Sequence, residues 1–430
     1  MVAVPHAPTR GQLAFLIAAA CLATPASLLA QGGMPVGPEF QINTYTTSAQ
    51  QRPVVASDSA GNFVVAWDSA FQDGGFYGIY AQRFDSTGTP VGAEFRVNSY
   101  TTLVQLFPAV ASDAAGNFVV VWESLGQSYN YGVFAQRYSS TGAPLGGEFR
   151  VNTYTAANKR YPQVASDAAG NFVVVWQSYY QDGPFDWGIY AQRFASTGAP
   201  LGGEFRVNAF FGLDQLHPSV GCDSLGGFVV AWQSEVQDGS GFGIYAQRYA
   251  GTGAPLGGEF RVNTYTTDQQ AQPSLNSDAA GNFVIVWRSR LQFGQGYNLV
   301  GQRFASAGAP LGVEFRVNTY DAGYQLHPSV ASDADGNFVV VWDSGPSSQD
   351  ASGYGVFAQR YASTGAPLGV EFRVNSYTTH NQRHPSVTAE PTGEFVMVWD
   401  SYLQDAGTPG IFGQRYRAMV PVELVGFRID

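Results

Sequence analysis

Lysine is almost absent from this 430-residue chain: Lys159 is the only one, and 22 Lys and Arg face 33 Asp and Glu. The formal charge of −11 excludes nucleic-acid or anionic-membrane binding by bulk electrostatics, and no polybasic stretch offsets it. Cysteine is nearly missing too. Of the two present, Cys21 lies in the first thirty residues, so beyond them Cys222 stands alone and no intramolecular disulfide can form. Stability must then come from packing. No segment has helical periodicity, and no membrane span is expected. The chain also lacks a nucleophile elbow, a metal-ligand spacing and a cysteine with a partner histidine.

Residues 1–30 read as a secretory leader, with Arg10, an apolar run from Leu13 to Ala23, and Ser27-Leu-Leu-Ala30 before a cleavage point. Cys21 after Ala18-Ala-Ala20 raises lipidation as the alternative. A larger aliphatic residue is expected at Ala18 and the apolar run continues past the cysteine, so cleavage and release, giving a secreted or cell-surface protein, is the expectation.

What is abundant is repetition. Seven copies of a unit of about 55 residues end their apolar runs at Trp67, Trp122, Trp176, Trp232, Trp287, Trp342 and Trp399. The repeats are numbered below by these tryptophans. The third copy reads as four short strands: Pro162-Gln-Val-Ala-Ser166, Asn171-Phe-Val-Val-Val-Trp176, Gly188-Ile-Tyr-Ala-Gln-Arg-Phe194 and Glu204-Phe-Arg-Val-Asn208. Asp167-Ala-Ala-Gly170 supplies hairpin chemistry between the first two, and the second is apolar on both faces. Four strands in such a period fit a propeller blade. The N-terminal Glu39-Phe-Gln-Ile-Asn43 copies a fourth strand, and the seventh copy stops after its third at Gln414-Arg415-Tyr416. The expected fold is therefore all-β: a seven-bladed β-propeller of four-stranded antiparallel blades over 31–416, its ring closed by the N-terminal strand completing the last blade. Residues 417–430 form a tail outside the repeat, expected to pack as a terminal strand. An open β-solenoid is the alternative architecture.

Positions identical in every copy serve the scaffold, and positions that differ can build one site. The template Trp are expected in the inter-blade core. The Arg series (Arg83 to Arg415) and the fourth-strand Glu series (Glu39 to Glu371) are expected to pair within each blade. Variation concentrates in the loop between second and third strands and in the connection between blades. There Trp187, the only tryptophan off the template, joins Tyr180, Phe210 and Phe211 as a candidate aromatic platform. A second candidate is the residue before each inner-strand proline: Arg52, Phe107, Tyr161, His217, Gln272, His327 and His384. Three residues ahead of the prolines stand Gln50, Gln105, Lys159, Gln215, Gln270, Gln325 and Gln382, and both rings are expected at the mouth of the central channel. The histidines are read as channel-lining side chains rather than a metal centre. No cofactor is expected. Calcium is the one possibility raised, by Asp73, Asp182, Asp238, Asp350 and Asp405, with Asp182 and Asp186 sharing a loop, but most of these loops offer one carboxylate where calcium wants six to eight oxygens.

The phrases Gln-x-x-Pro-Ser-Val, Asp-Ala-Ala-Gly-Asn-Phe-Val-Val-Val-Trp and Gly-x-Tyr-Ala-Gln-Arg-Phe resemble tandem repeats of uncharacterised secreted bacterial proteins, some adhesin-like, from about Gly37 to Tyr416. The resemblance implies export and a propeller-like array and carries no activity. The hairpin is also similar to that of NHL-type propellers, whose repeats are shorter. It differs from the sialidase Asp-box, which needs Ser-x-Asp-x-Gly where Ser57-Asp58 are adjacent. The departures from the template read as aromatic rather than as acidic pairs. The expectation is thus a non-enzymatic binding module for a glycan or surface protein, with a polysaccharide-active hydrolase or lyase, or a structural envelope component, as alternatives.

Overall fold

Phe63-Val-Val-Ala-Trp67 shows how the repeat becomes a sheet. Side chains along a strand alternate between faces, so a run apolar at every position must be covered on both. Val64 and Ala66 pack with Phe118, Val120 and Trp122 of repeat 2, whereas Val65 and Trp67 pack with Val396, Val398 and Ile411 of repeat 7. The same two-sided packing joins repeats 2 and 3 and each following pair. All seven template tryptophans are wholly buried.

The computed structural model describes residues 33–417 except 128, 182, 184, 346–348, 350, 351 and 406. The expected leader, and all but the first residue of the tail, lie outside these. Among the described residues every regular element is a β-strand. In repeat 1, Gln50–Ser57, Phe63–Ala70, Tyr77–Phe84 and Phe95–Arg96 pair antiparallel in chain order. Four-stranded sheets recur along the chain, and one eight-stranded path consists of two such units joined by the single parallel pair Tyr297–Tyr324. Met34–Gln41 pairs antiparallel with Thr408–Arg417 at the outer side of the last sheet.

The first hairpin behaves as its residues dictate. Asp58 Oδ1 accepts from the amides of Ala60 and Asn62 at 2.9 Å each, Oδ2 accepts from Asn62 Nδ2 at 2.8 Å, and Gly61 takes φ +81°. The Arg and Glu series do not pair as expected. Arg83 reaches across to repeat 2, donating to the carbonyls of Thr141 and Ser140 at 2.6 and 2.7 Å. Glu94 instead accepts from Thr44 N at 2.6 Å and Gln72 Nε2 at 2.6 Å. The reason is local supply: the turn of the next repeat presents free carbonyls to the guanidinium, and the connection between repeats presents a free amide to the carboxylate.

A chain lacking residues 33–43 leaves Thr408–Arg417 as an unpaired edge. It is expected to melt lower than the full chain and to aggregate, with a peptide of residues 33–43 restoring the transition in calorimetry; unchanged melting would contradict this packing.

Candidate active site

Proline has no N–H for the ladder, so each inner strand bulges at its X-Pro step. In repeat 1 the register slips between Gln51 and Val54, and the same slip recurs at the other six prolines. The residue before each proline is left-handed, at φ 53° for Arg52, 52° for Phe107, Tyr161 and Gln272, 50° for His217, 48° for His327 and 49° for His384. For a non-glycine residue that conformation costs roughly 1–2 kcal/mol. Seven bulges turn seven side chains into one cavity of about 530 Å³. The clefts between neighbouring repeats are smaller, at about 130 to 260 Å³.

A second tier stands behind this rim, formed by the residue after each template tryptophan: Asp68, Glu123, Gln177, Gln233, Arg288, Asp343 and Asp400. The bulge frees the backbone amide of the rim residue, and at four of the seven positions the second tier of the preceding repeat accepts it. Tyr161 N donates to Glu123 Oε2 at 3.1 Å, His217 N to Gln177 Oε1 at 3.0 Å, Gln272 N to Gln233 Oε1 at 2.9 Å, and Arg52 N to Asp400 Oδ1 at 3.3 Å.

Four of the seven are carboxylates, and each is buried and paired. Arg52 makes a two-pronged contact with Asp68, both bonds 2.8 Å, and Arg160 Nη2 meets Glu123 Oε1 at 2.7 Å. His327 Nδ1 lies 2.7 Å from Asp343 Oδ1 and His384 Nδ1 lies 2.7 Å from Asp400 Oδ1, while Arg383 Nε reaches Asp343 Oδ2 at 3.3 Å. The two imidazoles are themselves neighbours, with centroids 4.7 Å apart. Burial pushes the Asp68 carboxyl up to about 6 despite Arg52. Burial also works to raise Asp343, yet His327, His384 and Arg383 outweigh it and hold that carboxyl below the ordinary range. Burial opposes the charging of His384, but Asp400 and Asp343 prevail and raise its pKa. His217 has no such partner; burial, with Arg288 and His327 nearby, pushes it down to about 4.

Across the cavity the rim is aromatic. Phe107 and Tyr161 lie 4.7 Å apart, Tyr161 and His217 4.9 Å, and the Arg52 guanidinium sits 4.4 Å over Phe107. One arc therefore offers flat faces, and the other offers two histidine–aspartate dyads.

Of the residues singled out in the sequence, His217, His327 and His384 do meet at this cavity. No group of three or more His, Cys, Asp or Glu suited to a metal ion occurs among the described residues. The glutamine ring does not line the cavity. Gln50 is fully buried and accepts from Asn43 Nδ2 at 3.2 Å, and Lys159, in the same position, is buried against the Ala156 and Ala157 carbonyls and the Tyr154 ring. Its two-residue offset from the bulge turns it into the sheet stack. Trp187 is half-buried at the start of Trp187–Phe194, 4.9 Å from Tyr179, and Tyr179, exposed Tyr180 and exposed Phe185 continue the aromatic run. Phe211 is exposed beneath the Arg206 guanidinium at 3.8 Å, and half-buried Phe210 accepts from Asn208 through its carbonyl. None of these six aromatic residues lines the cavity. Of the acids proposed for calcium, Asp73, Asp238 and Asp405 are tied to Asn98, Asn263 and Asn43, and Asp182 and Asp350 lie outside the described residues.

No known protein family and no curated protein matches the chain. Among solved structures, a fungal alcohol oxidase of the AA5 family in complex with copper is similar over 90% of this chain and 77% of its own, at 13% identity and TM-score 0.55. A protein of unknown function from Dyadobacter fermentans is similar over 90% of this chain and 100% of its own, at 10% identity and TM-score 0.51. An α-L-arabinanase from Penicillium chrysogenum complexed with arabinobiose covers 72% of this chain and 92% of its own, at 13% identity and TM-score 0.47. At such identities the first two likenesses show a fold alone. It is an all-β, propeller-type array of four-stranded antiparallel sheets.

The expectation of a non-enzymatic binding module is overturned at this point. Its premise fails, because the departures from the template include the buried carboxylates Asp68, Glu123, Asp343 and Asp400, bonded from behind to rim residues of the cavity that the three histidines line.

Side-chain NMR titration tests the electrostatics: His217 is expected neutral down to about pH 4 and His384 to titrate above its ordinary 6.5. Since folding raises the His384 pKa, its pairing stabilises the fold fully below pH 6.5 and fades as pH rises through the higher folded value. His217 has the opposite sign, contributing above 6.5 and losing that contribution as pH falls towards 4. Identical titrations of the two would contradict the geometry.

Proposed function

We propose that the seven repeats close into a seven-bladed β-propeller, and that the chain is an exported hydrolase cleaving a polysaccharide at the cavity all seven blades share. Closure is supported by the contacts between ends. Glu39 on the N-terminal strand accepts from Ser376 N at 2.7 Å and Gln404 Nε2 at 2.6 Å, as Glu94 does from Thr44 and Gln72, and Arg415 donates to Thr87 O at 2.8 Å, as Arg83 does to Thr141. The paired His327–Asp343 and His384–Asp400 dyads carry the functional reading.

In each dyad Nδ1 is held by a carboxylate, which fixes the tautomer and leaves Nε2 to exchange a proton. His384, whose protonated form is favoured, donates to the glycosidic oxygen as its bond to the anomeric carbon breaks. His327 takes the proton of the water that bonds to that carbon. Asp343 and Asp400 have little or no exposed surface and act as positioning residues. The aromatic arc from Phe107 to His217 offers faces for sugar rings, and a cavity of about 530 Å³ is in the range of small-ligand sites.

The test is release of reducing ends from a panel of polysaccharides by the full chain. Activity is expected to fall about 10²–10⁴-fold in His327→Gln or His384→Gln and to stay within a few-fold of wild type in Phe185→Ala. Release from no polysaccharide, or undiminished release by both histidine variants, would contradict the reading.

A further inference from the structure

Three sectors of the second tier are built on one plan, and one of them breaks it. Between repeats 2 and 3, Glu123 meets Arg160, whose guanidinium lies 4.6 Å from the Tyr131 ring. Between repeats 6 and 7, Asp343 meets Arg383, 4.4 Å from the Tyr354 ring. Between repeats 5 and 6 the carboxylate position holds Arg288, 4.8 Å from the Tyr297 ring, and the arginine position holds Leu326. The cation has changed places and its anion has been deleted.

One side-chain donor is left without a partner. Arg288 Nε is buried with no hydrogen-bond partner, and no ion pair to Arg288 exists among the described residues. A guanidinium cannot accept, so Arg288 cannot serve the His327 amide as Asp400, Glu123, Gln177 and Gln233 serve those of Arg52, Tyr161, His217 and Gln272. Burial pushes the Arg288 pKa down, whereas Arg52 and Arg160, also opposed by burial, are held up by Asp68 and Glu123. Asp343 offsets this only from a distance, no carboxylate among the described residues touches the half-buried Arg288 cation, and an anionic ligand in contact removes the remaining cost.

We propose that Arg288, with the amide of His327, binds the oxyanion of an acidic sugar, a uronate carboxylate or a sulfate ester, and so sets the substrate class of the cavity. The inference rests on the substrate site proposed above, since His327 belongs to both. The planar fork of arginine suits a carboxylate or sulfate through two parallel hydrogen bonds. Neutral His217, close enough for Arg288 to depress its pKa, adds no competing charge.

The experiment is calorimetric titration of the full chain with acidic oligosaccharides, each paired with its neutral counterpart: uronate oligomers with their methyl esters, and sulfated oligomers with their desulfated forms. The acidic member of at least one pair is expected to bind roughly 10- to 100-fold more tightly, the pair showing the preference telling carboxylate from sulfate. Arg288→Gln is expected to abolish the preference and leave neutral binding unchanged; glutamine stands at the equivalent Gln177 and Gln233, so the fold accommodates it. Arg288→Lys, which keeps charge without the fork, is expected to retain part of it. Equal binding within every pair, no binding of any acidic oligomer, or a preference that survives Arg288→Gln overturns the inference. Preference lost in Arg288→Gln without cleavage of any polysaccharide upholds this site and removes the hydrolase reading. Cleavage of neutral polysaccharide with no acidic preference does the reverse.

Discussion

A proline in the middle of each inner strand cannot donate to the ladder, and the rest of the site follows from how the chain accommodates that. The preceding residue moves to φ near +50°, the strand bulges, and a side chain that would have stood between sheets swings towards the cavity. Proline ordinarily biases its predecessor away from helical angles, so the left-handed state persists because the surrounding sheets over-determine it. The freed amide needs an acceptor, which the residue after the template tryptophan of the preceding repeat supplies to Arg52, Tyr161, His217 and Gln272. Rim and second tier are thus one device, repeated seven times and decorated differently each time.

The decoration separates scaffold from chemistry. Trp67 and its counterparts, the Asp58-type hairpin and the arginine that reaches into the next turn recur because every interface between repeats needs them. The rim and second tier have no such obligation, since a bulge needs only some side chain and an amide only some acceptor. Gln177 and Gln233 meet that requirement neutrally. Asp343 and Asp400 meet the opposite need of two histidines, and their burial makes the charge on His384 a property of the pair rather than of the imidazole alone.

Much of the fold was legible because its determinants are local or periodic. Asp-Ala-Ala-Gly-Asn announces a hairpin, Phe-Val-Val-Val-Trp announces a strand covered on both faces, and the histidines before proline could be placed at one mouth by period alone. Contacts between repeats were not legible in the same way. Arg83 passes over the Glu within its own repeat to reach Thr141, because backbone carbonyls of a neighbour carry no sequence signature. Gln50 and Lys159 stand only two residues from the bulge yet face inward, a consequence of the slip in register that the proline causes. The second tier did have a signal: aligned on the tryptophans, the next residue reads Asp, Glu, Gln, Gln, Arg, Asp, Asp. This variation lies inside a strand, where it is most constrained, and not in the loops, where variation is greatest.

The central claim is that His384 donates and His327 accepts a proton at this cavity. The most direct measurement is the pH dependence of kcat/KM for polysaccharide cleavage, in wild type and in Asp400→Asn. The account predicts a bell whose alkaline limb lies above pH 6.5 and moves to lower pH when Asp400 loses its charge. A profile without an alkaline limb, or one that Asp400→Asn leaves in place, would contradict it.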